Sequence, residues 1–153
     1  MLHLQGQLLP IYNRQAGSTM YTYQHKVHYY ETDQMGIVHH SNYIRWMEEA
    51  RIDFLSHIGC DYKKMEELGI ISPVVSVECK YKVSAKFADL VDIAVWIEEF
   101  RGVKLKLDYE MTRGGEVLST GRSEHCFLEE GYIINLKRTH PELYQALSAQ
   151  TAK

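Results

Sequence analysis

The fifteen residues from Tyr29 to Tyr43 hold the densest group of reactive side chains in the chain: two adjacent tyrosines, Glu31, Asp33, the pair His39-His40, Ser41 and Asn42. Asp33 and His40 stand seven positions apart, with Gly36 between them. A carboxylate supplies an attacking oxygen or a base toward water, and an imidazole moves protons. The run lies between a strand-like segment and a helix-like one, so it ends on the free N–H groups of a helix's first turn, where an oxyanion is stabilised. Carboxylate, imidazole and amide donors therefore converge. Taken alone, Asp33 equally suits an Asx turn or the charge at a helix terminus. His39 and His40 with Asp33 lack the spacing of a zinc motif such as HExxH, so no metal is expected there.

The elements that must position this run are legible on either side. Tyr21 to Tyr29 alternates aromatic or β-branched residues with polar ones and predicts a first strand. From Asn42 to Ile58 the residues Tyr43, Met47, Ala50, Phe54 and Ile58 recur at helical spacing and predict one long amphipathic helix. Ser41 or Asn42 is expected to cap it and Gly59 to close it, with Arg45, Glu48, Glu49, Arg51 and Asp53 toward solvent. A short helix over Asp61–Leu68 follows, and then strands: Val74–Lys82, Leu90–Phe100, Val103–Met111 and Val117–Leu128. Arg113-Gly114-Gly115-Glu116 forms a hairpin turn. Gly131–Asn135 extends the sheet and Pro141–Leu147 is a terminal helix begun by proline. The class is α+β, a long helix wrapped by a curved antiparallel meander of four or five strands. Its exposed edges call for a second copy in a symmetric dimer.

Composition bounds the function. The chain has 153 residues, which is one domain's worth, and a formal charge of −3. Neither nucleic acid nor an anionic membrane is recommended as a partner. Cys60, Cys79 and Cys126 are odd in number and form no CxxC, so a disulfide framework is not expected and the three read as structural. No apolar run approaches the roughly 20 residues of a membrane span, and the opening stretch lacks a signal-peptide core. The chain reads as cytoplasmic, with residues 1–19 set apart as an N-terminal extension, disordered or non-native, and residues 20–153 as a single domain. His25, His28, His57 and His125 are expected to be strand or helix residues with local hydrogen bonds. Lys80, Lys82, Lys86, Arg101, Lys104 and Lys106 form the main basic concentration, a solvated strand face or an anion contact.

The pattern Tyr29-x-x-Thr32-Asp33-x-x-Gly36-x-Val38-x-His40-x-x-Tyr43, continuing through Ile44-Arg45-Trp46-Met47-Glu48-Glu49-Ala50-Arg51, resembles the hotdog-fold acyl-CoA thioesterases of the 4-hydroxybenzoyl-CoA thioesterase and YbgC-like type. Tyr81 to Asp89 resembles the family's segment between its second and third strands, and the likeness runs over about residues 20–136. The resemblance implies that Asp33 is the catalytic carboxylate, as nucleophile or general base. It also implies that His40 contributes a side chain and a carbonyl-polarising amide, and that Tyr29 belongs to the same site. Coenzyme A phosphates would fall to Lys86 and Arg101, and the active unit would be a homodimer or homotetramer. No cofactor is implied, because the leaving thiolate, with a conjugate-acid pKa of about 8.5, needs little acid catalysis. Two other readings compete: a hotdog dehydratase of hydroxyacyl thioesters and a non-catalytic acyl-CoA-binding module.

Overall fold

The computed structural model describes residues 20–151, and the expected extension at 1–19 lies outside them. Its elements in chain order are β1 (Tyr21–Lys26), α1 (Ser41–His57), α2 (Tyr62–Glu67), β2 (Ile70–Ile71), β3 (Val74–Tyr81), β4 (Leu90–Phe100), β5 (Leu105–Arg113), β6 (Glu116–His125), β7 (Leu128–Glu129), β8 (Tyr132–Ile133), α3 (Leu136–Thr139) and α4 (Pro141–Ser148). This is the α+β hotdog arrangement, with α1 held against a five-stranded antiparallel sheet.

The sheet order is β1-β4-β5-β6-β3, which corrects the expected meander. Only β4, β5 and β6 follow one another. β3 crosses to the far edge and pairs with β6, Val77 opposite Ser123 and Tyr81 opposite Ser119. The reason lies in the helix, whose apolar arc (Tyr43, Trp46, Met47, Ala50, Phe54, Leu55) is too wide for one hairpin and takes cover from both halves of the sheet. Val91, Ile93, Val95 and Ile97 of β4 and Leu105, Leu107, Tyr109 and Met111 of β5 present the matching buried row. Register shifts at Ile97/Glu99 and Met111/Thr112 are β-bulges that bend the strands. Gly121 lets α1 approach closely, since a Cβ there would stand 2.6 Å from Met47 Sδ and 3.1 Å from the Glu78 carbonyl.

Three further expectations are corrected. β1 stops at Lys26, and Tyr29–Glu31 form a 3₁₀ turn. The segment after His125 leaves the main sheet to build a small one, β2-β7-β8. Arg51 is 3% exposed rather than on the solvent face of α1. No helix among the described residues is long and apolar enough to cross a membrane.

Candidate active site

A buried acid anchors the loop that leaves β1. Glu31 is 5% exposed, and its Oε1 accepts from the His28 N–H and from the His25 ring, both at 2.8 Å. Its Oε2 accepts from the Trp46 indole N–H at 2.7 Å. Burial pushes the Glu31 carboxyl upward, but the bonds from His28, His25 and Trp46 outweigh it and the net shift is downward. The Glu31 carbonyl accepts from the His39 N–H at 2.8 Å and from Asn42 Nδ2 at 2.9 Å. One residue thus ties the start of the loop to its end and to the first turn of α1.

Within that frame Thr32 bridges Val38, and the Asp33 N–H donates to the Ile37 carbonyl at 2.8 Å. Asp33 Oδ1 accepts from the Met35 N–H at 2.8 Å, so the Asx turn is real. Gly36 completes it at φ +77, a conformation other side chains rarely adopt. Asp33 Oδ2 keeps no hydrogen bond among the described residues. The carboxylate can therefore hold the turn with one oxygen and offer the other.

Asp33 and His40 line one cavity of about 430 Å³ with Tyr43, Tyr81 and Lys82. That size lies within the ordinary range for small-molecule sites. The expected caps are displaced: Ser41 and Asn42 are helical, His40 stands at the N-cap without a side-chain cap bond, and His39 before it accepts from the first turn. His39 Nδ1 accepts from the Ser41 N–H at 3.3 Å, and the His39 carbonyl accepts from the Asn42 N–H at 3.0 Å. The His40 N–H has no acceptor among the described residues, so it is the unclaimed donor at the positive end of α1. Its carbonyl accepts from the Tyr81 hydroxyl at 3.0 Å, which fixes the peptide from β3. Burial pushes the Tyr81 phenol up to about 12, with Cys79 adding to it, and burial raises Tyr43 as well. Both phenols stay neutral at ordinary pH. Tyr43 also accepts from the Ala85 N–H at 2.9 Å, which joins α1 to the segment after β3.

Of the residues singled out from the sequence, Asp33 and His40 come together. Tyr29 does not line the cavity; it is 76% exposed, edge-on to Phe87 with ring centroids 5.6 Å apart. Lys86 is exposed and its N–H caps Asp89 at 2.8 Å. Arg101 lies one residue past the end of β4 opposite Leu90, beside Glu99 at 3.8 Å. Lys104 and Lys106 are engaged by Glu124, and Lys80 by Glu78. The roles of Glu31, Tyr43 and Tyr81 were not legible in the sequence. The one signal for Glu31 is a charge inside an aromatic run. His25, His28 and Glu31 bring ligand atoms within 4.8 Å of one another, but the Glu31 oxygens already accept three protein hydrogen bonds, so the set fits a structural clasp better than a cation.

Residues 12–142 match the family model of the thioesterase-like superfamily. The chain is 35% identical to the provisionally named acyl-CoA thioesterase YneP of Bacillus subtilis, over 79% of this chain and 90% of that one. It is 27% identical to the acyl-CoA thioesterase YbgC of Haemophilus influenzae, over 61% and 70%. Its structure is similar to that of the DHNA-CoA thioesterase of Staphylococcus aureus, with a TM-score of 0.81 and 33% identity over 84% and 89% of the two chains.

Proposed function

From the premise that the chain belongs to the thioesterase-like superfamily of hotdog-fold proteins, we propose that it is an acyl-CoA thioesterase, hydrolysing an acyl-CoA to the carboxylic acid and coenzyme A. The observation that carries the reading is the shared cavity of Asp33 and His40, with a carboxylate oxygen and a backbone N–H both unclaimed. Thioester hydrolysis needs an attacking oxygen and a polarised carbonyl. Asp33 either deprotonates a water that attacks the carbonyl carbon or attacks with its own oxygen to give an acyl anhydride that water then cleaves to the acid and the free carboxylate, and the His40 N–H donates to the carbonyl oxygen. The C–S bond breaks to a thiolate that leaves without strong acid assistance, and the His40 imidazole exchanges protons at the cavity mouth. No step calls on a cofactor.

The outer parts of the substrate go to exposed groups near the loop. Lys82 and Lys86 suit the coenzyme phosphates, and Tyr29 beside Phe87 suits a contact to the substrate's outer part. Arg101 serves only if another copy carries it there. A second copy is expected along β3, an edge strand exposed along most of its length that shows Val74, Val75 and Val77 to solvent. Such pairing gives the homodimer, and further stacking of dimers the tetramer.

The test is release of free thiol from a panel of acetyl-, octanoyl-, palmitoyl- and hydroxybenzoyl-CoA, with mass analysis of the acyl product. Equimolar thiol and carboxylic acid support the proposal. Loss of water from a hydroxyacyl ester with the thioester intact would instead favour the dehydratase, and saturable binding without release the binding module.

A further inference from the structure

The seam between α1 and β3 does not end at the Asp33 cavity. His40, Tyr43 and Tyr81 border that cavity. One helical turn further along α1 and four residues back along β3, a second, smaller cavity of about 60 Å³ opens between Ile44, Met47, Val74 and Val77. Its walls are apolar apart from Glu48, but its floor is not. Arg51, Tyr109, Ser123 and His125 line it, from α1, β5 and β6, and all four are buried.

The floor is internally organised and incomplete. Tyr109 Oη lies 2.7 Å from Ser123 Oγ, which lies 2.7 Å from His125 Nε2, a continuous hydrogen-bonded chain. His125 Nδ1 and Arg51 Nη1 have no partner among the described residues, although His125 is 1% and Arg51 3% exposed. Two unmet nitrogens this deep cost stability unless something answers them. Burial, and then the nearby Arg51 charge, push the His125 imidazole down to about 3, so it is neutral at ordinary pH. A neutral ring has one N–H. When the chain runs from the Tyr109 hydroxyl through Ser123 to Nε2, that N–H is at Nδ1. The floor then offers two kinds of donor, guanidinium and imidazole.

Charge narrows what they receive. Glu48 Oε1 lies 3.7 Å from Arg51 Nη2, so a carboxylate already stands by the guanidinium. A second carboxylate would meet that charge, whereas a neutral oxygen would not. Length narrows it further. Helical side chains lean toward the N-terminus, so the Arg51 guanidinium lies about level with Met47, roughly 10 Å along the axis from His40. That is the reach of about eight carbons at about 1.25 Å of projected length per C–C bond.

Resting on the thioesterase reading, we propose that the acyl group lies along the α1–β3 seam and that the Arg51–His125 floor is a subsite for a neutral oxygen, a hydroxyl or keto group, at its distal end. The preferred substrates are then medium-length acyl thioesters oxygenated far from the thioester. The apolar walls hold the chain and the floor reads its terminus.

The test uses thioether analogues, which have no carbonyl to hydrolyse, so that it reads the subsite independently of Asp33. Binding of S-octyl-CoA and S-(8-hydroxyoctyl)-CoA to the full chain is measured by calorimetry, with the four-carbon pair as a length control. Wild type is expected to bind the hydroxylated eight-carbon analogue about tenfold more tightly. The four-carbon pair should show no preference, and Arg51→Met, folded by its melting curve, should bring the eight-carbon ratio to about one. Equal affinities in wild type, or a preference that is the same at four carbons, would overturn the proposal without recourse to any variant. So would a ratio that survives Arg51→Met, or an Arg51→Met chain that loses self-association, which would assign the guanidinium to a second copy. Failure of the thioesterase reading shows separately, as absence of thiol release from acyl esters.

Discussion

Two regions along α1 solve opposite problems. At its N-terminus the chain leaves a backbone N–H and a carboxylate oxygen unclaimed beside an open cavity of about 430 Å³. Two to three turns later it leaves one guanidinium nitrogen and one imidazole nitrogen unclaimed beside a smaller one of about 60 Å³. The first set of groups is held by local bonds, most of them within residues 28–42, and suits a reacting centre that must be placed accurately. The second is assembled from positions 51, 109, 123 and 125 and suits recognition of whatever the reacting centre is attached to. On the proposed reading, chemistry and recognition stand at different heights of one helix, so that each can vary while the other is kept.

The largest effect that would separate the two belongs to the amide at the N-terminus. His40 has φ −55, a value proline accepts, so His40→Pro removes the N–H with little change of backbone. We expect kcat to fall about 10²- to 10³-fold, the cost of losing one oxyanion donor. His40→Ala keeps the amide and should cost about tenfold. Equal losses in the two variants would place the contribution in the imidazole instead.

A smaller effect is expected one layer beneath. Glu31→Gln leaves the loop's shape but weakens the bonds from His28, His25 and Trp46, with an expected loss of about 1–3 kcal/mol of stability in denaturant titration. The accompanying fall in turnover should be about tenfold in kcat with KM little changed, since the loop and not the seam is disturbed. A change confined to KM would contradict that division.

The smallest effect reads the second region through pH. His125 titrates at about 3 in the folded chain against a reference of 6.5, so below about 6.5 the unfolded chain binds more protons and stability falls as pH falls toward 3. Glu31, Asp89 and Glu124 are shifted downward too and act in the same direction, but below the carboxylate reference range. Between about pH 5 and 6.5 the melting temperature of His125→Gln should therefore slope less than that of wild type. Identical slopes would mean that His125 is not held neutral.

How much of this the sequence discloses follows the same division. α1 shows its period openly, and the Asp33–His40 run is contiguous, so both the long helix and the two residues that share the cavity are legible. Tyr29 looks like a strand residue because aromatics favour strands, yet the chain turns there, since Glu31 is drawn inward by His25 and Trp46. Arg51 reads as a surface charge on a polar arc, and only the sheet's curvature shows it buried. The placement of β3 beside β6 depends on which face of α1 remains uncovered, a tertiary matter that no local pattern states. Tyr81 enters the site through that same placement.

The role of Asp33 is read most directly from thiol release at saturating acyl-CoA by Asp33→Asn, measured beside its melting curve. Asparagine keeps the oxygen that accepts from the Met35 N–H and removes the charge. In this variant kcat is expected to fall by about 10³-fold or more while the melting temperature stays near that of wild type. Turnover near the wild-type rate in a folded Asp33→Asn chain would contradict it.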